Sequence, residues 1–320
     1  MQERVLVGLS LGVDSLATAL LLKAEPFSVV GVYFHLHQEA KDLEKVRKIC
    51  EDNNIEFHYV NLQKEFYKDV ILPFADFYLK GLTPNICSYC NAEFKIEKLL
   101  QYAENFSCNY IATGHYAIKK ASLIGIAKDL WKDQSFMLYR LSEKQREKLL
   151  LPLGEMMKDE VKNFVQQCGY EEIANKRESF GLCFTNGKHY SEFLLEKYPE
   201  LKKLENGKVF NKNNQVIGTH KGYPFYTVGQ YKGLGTKEKL YVSEIDHRQN
   251  LITAGQKSDC YHSTVEINNL HLHQAKRIED CEKFLIKIRG KDEGTTGSIR
   301  LSKQETQDST ASNKESIKAI

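Results

Sequence analysis

The sequence predicts an α/β protein: a parallel sheet with helices on both faces, followed by a small central domain and a C-terminal β domain. Three observations predict it. Short aliphatic runs alternate with helical stretches through the first half of the chain. After about Tyr190 the texture changes to short β-like runs separated by turn residues, with glycines crowding between Gly222 and Gly235. A third texture, again strand-like, runs from Val265 to Arg289. The matching division is residues 1–193, 194–256 and 257–320.

Taken in order, Val5-Leu6-Val7-Gly8-Leu9 reads as a buried strand, and residues 15–22 as a helix with Pro26 beyond its end. Residues 29–34 give a second strand, 42–53 a charged surface helix, and 55–60 a third strand. Ile96, Leu99, Leu100 and Ala103 fall at i, i+3, i+4 and i+7, one apolar helical face. Residues 110–113 form a fourth strand. Val161, Phe164, Val165 and Cys168 repeat the helical spacing, and Gly169 stands where that helix would stop. Glu205-Asn206-Gly207 and Lys212-Asn213-Asn214 mark turns. Between Ser302 and Ser316 only Ala311 is apolar, which predicts a flexible loop or tail.

With 320 residues, 42% hydrophobic and 27% charged, the chain can bury a core, and wholesale disorder is excluded. No apolar run approaches the roughly 18 residues that span a bilayer. The start, Met1-Gln2-Glu3-Arg4-Val5, lacks the pattern of a secretory signal, so a cytoplasmic, membrane-free protein is expected. A formal charge of +3 neither establishes nor excludes a nucleic-acid partner. Eight cysteines without an export signal argue against a disulfide scaffold and have to be sorted into core and chemical residues.

The strongest chemical signal is Gly8-Leu9-Ser10-Leu11-Gly12-Val13-Asp14-Ser15, between a strand and a helix. Small residues there let backbone N–H groups approach an anion, and a helix N-terminus adds partial positive charge. No Lys-Ser/Thr pair closes the loop, so it is not a Walker A motif. The bland alternative is an ordinary strand-turn-helix corner. Further motifs follow in order: Thr83-Pro84-Asn85-Ile86-Cys87-Ser88-Tyr89-Cys90-Asn91, Ala112-Thr113-Gly114-His115-Tyr116, Lys132-Asp133-Gln134-Ser135-Phe136, Gly181-Leu182-Cys183-Phe184, and Tyr226-Thr227-Val228-Gly229-Gln230-Tyr231.

The first loop resembles the Ser-Gly-Gly-x-Asp-Ser loop of the ATP pyrophosphatase (PP-loop) superfamily, with Leu11 in place of the first glycine. The whole series, from about Val5 to Arg289, resembles the bacterial tRNA-specific 2-thiouridylases. The resemblance implies an adenine-nucleotide hydrolase-like N-terminal domain, a C-terminal β-barrel-like domain, and ATP-dependent 2-thiolation of the wobble uridine of tRNA. It also implies that Gly8 to Ser15 cradle the ATP phosphates, with Asp14 helping to hold Mg²⁺ and Leu11 narrowing the seat. Phe34 stands where the family has a methionine beside the adenine, and Gly114 contacts the nucleotide. Asn85, His115, Lys132, Asp133, Gln134, Arg289 and Gly290 fall at tRNA-contacting positions; the family usually has tyrosine where this chain has Gly290. Cys90 matches the nucleophile and Cys183 the cysteine that carries a persulfide or holds a cluster. A persulfide or sulfide donor protein is implied as partner, and a monomer is expected.

Such a reaction needs the C2 oxygen adenylated, then displaced by anionic sulfur, because a neutral thiol is a weak nucleophile. Asn91 reads as an N-cap, so the following helix is expected to favour the Cys90 thiolate. Cys87 stands where the family has aspartate, creating Cys87-x-x-Cys90. With Cys183 this gives three thiols, which leaves two routes: a persulfide on Cys183 assisted by Cys90, or a [4Fe–4S] cluster held by all three. Cys50 and Cys168 read as small core hydrophobes; Cys108, Cys260 and Cys281 have no partner pattern. His271 and His273 read as a weak metal pair, and His35 and His37 as nucleotide contacts or plainly exposed. The run from Glu143 to Lys148 reads as a solvated helix face. The resemblance also predicts a closing Pro-Gly-Gln turn that this sequence lacks near Ile320, hence a reduced or shortened barrel, and Tyr231 replaces a family arginine. Rival readings are another PP-loop enzyme, of the lysidine synthetase or amidotransferase kind, and a non-catalytic tRNA-binding sulfur carrier.

Overall fold

Val5, Leu6 and Val7 are fully buried at the centre of a five-stranded sheet. The computed structural model describes residues 2–37, 43–177, 181–267, 273, 284–288, 294–302 and 316–319. The chain forms two units: Met1–Val70 with Ile86–Glu178 and His271–Thr296, and Ile71–Asn85 with Ser179–Leu270 and Gly297–Ile320.

In the first unit, strands β1 (Glu3–Leu9), β2 (Phe27–His35), β3 (Glu56–Asn61) and β4 (Tyr110–Ala112) match the four predicted from aliphatic runs. A hairpin, β5 (Ile118–Lys120) and β6 (Leu123–Gly125), precedes the two-residue β7 (Leu149–Leu150). The sheet order is β3-β2-β1-β4-β7 and every pair is parallel. Period-two alternation divides β1 between two cores. Val5, Val7 and Leu9 join Leu16, Ala17 and Leu20 of helix α1 (Val13–Ala24), with Val161 and Val165 of helix Lys158–Gln167. Leu6 turns the other way, to Ile96, Leu99, Leu100 and Ala103 of helix Ile96–Asn105. Helices thus cover both faces, as a parallel sheet requires. Each aliphatic side chain buried this way contributes about 1.5–3 kcal/mol.

Two expectations change. Helix Lys158–Gln167 ends before Cys168, whose ψ of 1° takes it out of helical phase, so Cys168 is exposed and not a core residue. Gly169 does mark the stop, in the left-handed region at φ +90°. In helix Glu143–Lys148 the ends are solvated, but Gln145 and Arg146 are buried. Arg146 donates to the carbonyls of Ser122 and Leu141, and Gln145 to that of Ala92, so the charge run is partly a structural clamp. Cys50 is fully buried as expected, and burial pushes its thiol up to about 11.

The second unit opens with helix Leu72–Leu79, whose Phe74 and Tyr78 meet Phe184, Tyr190 and Phe193 edge-on or stacked. Strands β8 (Gly207–Phe210), β9 (Val216–His220), β10 (Tyr241–Asp246) and β11 (Leu251–Gly255) make a sheet of order β10-β11-β8-β9. Its core is Val209, Tyr226, Leu234, Val242, Ile252 and Ala254. The predicted turn at Lys212-Asn213-Asn214 joins β8 to β9, with Asn214 left-handed and the Asn211 carboxamide accepting from the Asn213 and Gln215 N–H groups. Ser316–Ala319 lies between Val265–Ile267 and Ile299–Ser302 in an antiparallel sheet. Cys281, His271, Arg289, Gly290 and residues 303–315 lie outside the described residues.

Candidate active site

Where β1 ends, the chain turns through Ser10, Leu11 and Gly12 into α1. Ser15 closes that turn: its hydroxyl accepts from the Ser10 N–H at 3.0 Å and lies 2.8 Å from the Ser10 carbonyl and 3.0 Å from that of Gly12. Gly12 is the N-cap residue and no side chain caps the helix. An uncapped helix start leaves backbone donors and the positive end of the dipole for an anion. Leu11 is buried in the hydrophobic core, so the departure from glycine turns inward.

A cavity of about 290 Å³ opens at this corner. Its walls are Gly8, Leu9, Ser10, Asp14 and Ser15 from the loop, Val32, Phe34 and Leu36 from β2 and just beyond, Lys95, Ile96 and Leu99, and Thr113, Gly114, His115 and Gln134. It lies at the carboxyl ends of β1, β2 and β4. With α1 on one side of the sheet and helix Ile96–Asn105 on the other, that is where an open α/β sheet binds ligands. Of the predicted residues, the structure gathers Gly8, Leu9, Ser10, Asp14, Ser15, Phe34, Gly114, His115 and Gln134 here; Leu11, Gly12 and Val13 do not line the wall. Gly114 is there because nothing larger fits: a Cβ would come within 2.8 Å of the Asp14 carbonyl carbon.

Asp14 is not a lone carboxylate. The Lys158 ammonium donates to both its oxygens, at 2.7 and 2.9 Å, and the Tyr116 hydroxyl donates to one at 2.9 Å. The Lys158 side chain is 7% exposed and stands over the Tyr116 ring. Among the described residues Asp14 is the one acidic side chain lining the cavity, and it is already paired with Lys158, so these residues do not fit a resident Mg²⁺. A Mg²⁺ that arrives on nucleotide phosphates belongs to the substrate.

His115 lies 2.8 Å, Nδ1 to Oγ1, from Thr113, and burial, helped by the Lys95 ammonium, pushes it down to about 4. It is therefore neutral at pH 7. His37 is lowered to about 4 in the same way, by burial and then by Lys95 and His35. His35 is hydrogen-bonded to Tyr59, and neither it nor His37 lines the cavity; Leu36 between them does. Gln134 exchanges two hydrogen bonds with the Tyr116 backbone. Asp133 spends its carboxylate on the Ala127 N–H and on Ser135, inside its own loop. Lys132 is half-buried and Asn85 exposed.

Cys90 is 5% exposed and Cys87 half-buried, both on helix Ile86–Cys90. Asn91 is not an N-cap, contrary to expectation. Cys90 has helical φ and ψ, and the helix runs on through a π-turn, Asn91–Lys95, into Ile96–Asn105. Asn91 is buried and donates to the Met137 carbonyl instead, so no helix start acts on the Cys90 thiol. Cys183 belongs to the second unit, exposed at the head of a 3₁₀ turn. Among the described residues no three His, Cys, Asp or Glu side chains form a metal-binding group. Within the first unit Cys87 and Cys90 supply two thiols, so neither unit alone fits a three-cysteine cluster, and no step below runs through one.

Lys95 and Lys158 were missed from the sequence. Five residues apart, Cys90 and Lys95 would point roughly 140° apart on an α-helix. The π-turn, with the Ile96 N–H bonded to the Asn91 carbonyl, brings Lys95 round towards the Cys90 side. Lys158 had a visible signal: a lysine in the first turn of a helix opposes the dipole and asks for another partner.

Residues 3–187 match the tRNA methyl transferase HUP domain family and residues 191–256 the tRNA methyl transferase PRC-barrel domain. The tRNA-specific 2-thiouridylase MnmA of Campylobacter jejuni (strain 81116) is 34% identical over 309 residues, covering 93% of this chain and 88% of that protein. Its counterpart in Sulfurimonas denitrificans is 35% identical over 288 residues, 88% of this chain and 83% of its own. MnmA 1 of Caldanaerobacter subterraneus is 36% identical over 309 residues, 90% and 84% respectively.

Proposed function

The chain belongs to the family of tRNA-specific 2-thiouridylases, and from that premise we propose that it carries out ATP-dependent 2-thiolation of the wobble uridine of tRNA. The observation that carries the reading is the uncapped start of α1 facing a cavity that also holds Lys95, Gly114 and the neutralised Asp14. That is a seat for a phosphate chain, with cations near the charge that develops when pyrophosphate leaves.

In this reading residues 1–193 are the catalytic domain, 194–256 a small tRNA-contacting domain and 257–320 a C-terminal β domain. ATP enters with its Mg²⁺ as substrate. The C2 oxygen of the uracil attacks the α-phosphorus, the bond to pyrophosphate breaks, and AMP is left on the oxygen. Phe34 flanks the adenine, while Gln134 and neutral His115 offer uncharged polar groups to the uracil. A persulfide anion on Cys183, loaded by a donor protein, then attacks C2 and AMP departs. The Cys90 thiolate attacks the Cys183 sulfur, the S–S bond to the transferred atom breaks, and thiocarbonyl and a Cys90–Cys183 disulfide result; an external thiol reduces the disulfide. Cys87, three positions before Cys90 on the same short helix, is a second thiol beside it. Asn85, Lys132, Asp133, Arg289 and Gly290 are proposed on the RNA side. The setting is cytoplasmic and the working form a monomer; no helix among the described residues is long and apolar enough to cross a membrane.

The test uses the full chain with tRNA, MgATP and a sulfide or persulfide donor, reading pyrophosphate release and nucleoside composition. Cys183→Ser is expected to release pyrophosphate but form no 2-thiouridine; normal thiolation by that variant overturns the assignment. Another PP-loop enzyme would keep its activity with Cys90 and Cys183 both replaced by serine, and a sulfur carrier would release no pyrophosphate.

A further inference from the structure

Trp131, the chain's single tryptophan, is 94% exposed, more than any other large apolar side chain in the described residues. Leu130 beside it is 73% exposed. An indole left this fully in water forgoes the burial that large aromatic side chains usually find.

The backbone that presents it is firmly tied. Asp129, only 5% exposed, accepts from the Trp131 N–H at 3.1 Å and, through its other oxygen, from the Lys158 N–H at 3.0 Å. The Asp129 carbonyl takes the Lys132 N–H at 3.1 Å. Asp133 fixes the other side of the loop through Ala127 and Ser135. Trp131 is therefore held out by a buried carboxylate that also anchors the helix carrying Lys158, the partner of Asp14. Three residues further on, Gln134 forms part of the cavity wall.

A flat aromatic face on a fixed loop, next to a lysine and three residues from a wall of the cavity, matches how single-stranded RNA is gripped: unstacked bases lie on aromatic side chains while cations follow the backbone. A protein partner fits less well. Standard interfaces bury about 800 Å² on each side, whereas here Leu130 and Trp131 stand among Lys128, Asp129 and Lys132. We propose that Trp131 is a stacking platform for an unpaired base of the tRNA strand whose uridine enters the cavity. The proposal rests on the tRNA-thiolating reading above.

The single tryptophan makes the test direct. Deacylated tRNA is titrated into the full chain while tryptophan fluorescence and gel retardation are followed together. Stacking predicts saturable quenching with the same midpoint as retardation. It also predicts about tenfold weaker binding by Trp131→Ala, with Trp131→Phe retaining most of the affinity. Retardation without quenching, or Trp131→Ala binding like the parent, overturns the platform and leaves the tRNA reading standing. No retardation at all sinks the tRNA reading itself and the platform with it. Quenching that grows with protein concentration in the absence of RNA would show the indole covered by a second copy, which also overturns the proposal.

Discussion

Cys90 of the first unit is 5% exposed and held inside a helical run that continues unbroken from Ile86 to Asn105. Cys183 of the second unit stands exposed on a short turn, with Gly181 before it and Asn186 after it both left-handed. The same contrast extends to their surroundings. Around the first unit's cavity nearly every polar side chain is already paired: Asp14 with Lys158 and Tyr116, His115 with Thr113, Gln134 with the Tyr116 backbone. Activation of an oxygen requires groups fixed before the substrate arrives. Collection of sulfur from another protein requires a thiol that the other protein can reach. In the proposed reaction the first unit's cavity and the exposed Cys183 are suited to those two demands.

The largest effect that would sharpen this contrast comes from Gly114→Ala. Its added Cβ would press on the Asp14 backbone, 2.8 Å away, and force the loop into α1 and the loop after β4 apart. Pyrophosphate release is expected to fall by about 100-fold, while persulfide labelling of Cys183 by a sulfur donor stays unchanged. Near-normal release would break the claim that the first unit works by fixed geometry.

Next is Lys158→Met, which leaves Asp14 facing a cavity without its cation. A fully buried pair broken this way costs about 3–5 kcal/mol; with Asp14 about one-third open to solvent, about 2 kcal/mol is expected. Urea unfolding measures it, and adding Asp14→Asn should restore part of the loss. Equal stability of the single and double variants would show that the carboxylate never needed neutralising.

The smallest effect, counted for one histidine and one pH unit, is in pH. His115 and His37 are both held near 4 in the folded chain, below the ordinary value of 6.5. The unfolded chain therefore binds more protons between those values, and stability is fully present above about pH 6.5 and drains away as pH falls towards 4. Each histidine gives a slope of at most about 1.4 kcal/mol per pH unit. Thermal melts at several pH values should show the loss, and His115→Gln should flatten it; a parent melt unchanged down to pH 5 would contradict the burial of both rings.

Much of the first unit was legible because its strands are written in local code. The aliphatic runs at β1 to β4 and the spacing of Ile96, Leu99, Leu100 and Ala103 each suffice for one element. The small-residue loop before α1 likewise announced its corner of the cavity. What escaped depends on distant partners. Asn91 has the residue type of a helix cap, yet a carbonyl 46 residues away claims its side chain. Arg146 sits in a run of charges, yet two backbone carbonyls draw it inside. Lys95 is hidden by a π-turn, whose only signature is a hydrogen bond one residue too long. Cys168 falls one position beyond the last helical residue, where periodicity no longer governs burial.

That π-turn has a consequence for how this segment tolerates change. A helix that takes up one surplus residue in a single wider turn keeps its two halves in step, like a spiral stair with one broad landing. Removing one residue from 91–94 would let the stair close up into a regular α-helix, with the cysteine landing and the lysine four treads and roughly 40° apart, close to where the wide turn already holds them. Winding the same residues into ordinary α turns with none removed is what would part them, to roughly 140°, so the width of that one turn is the setting that aims thiol and ammonium.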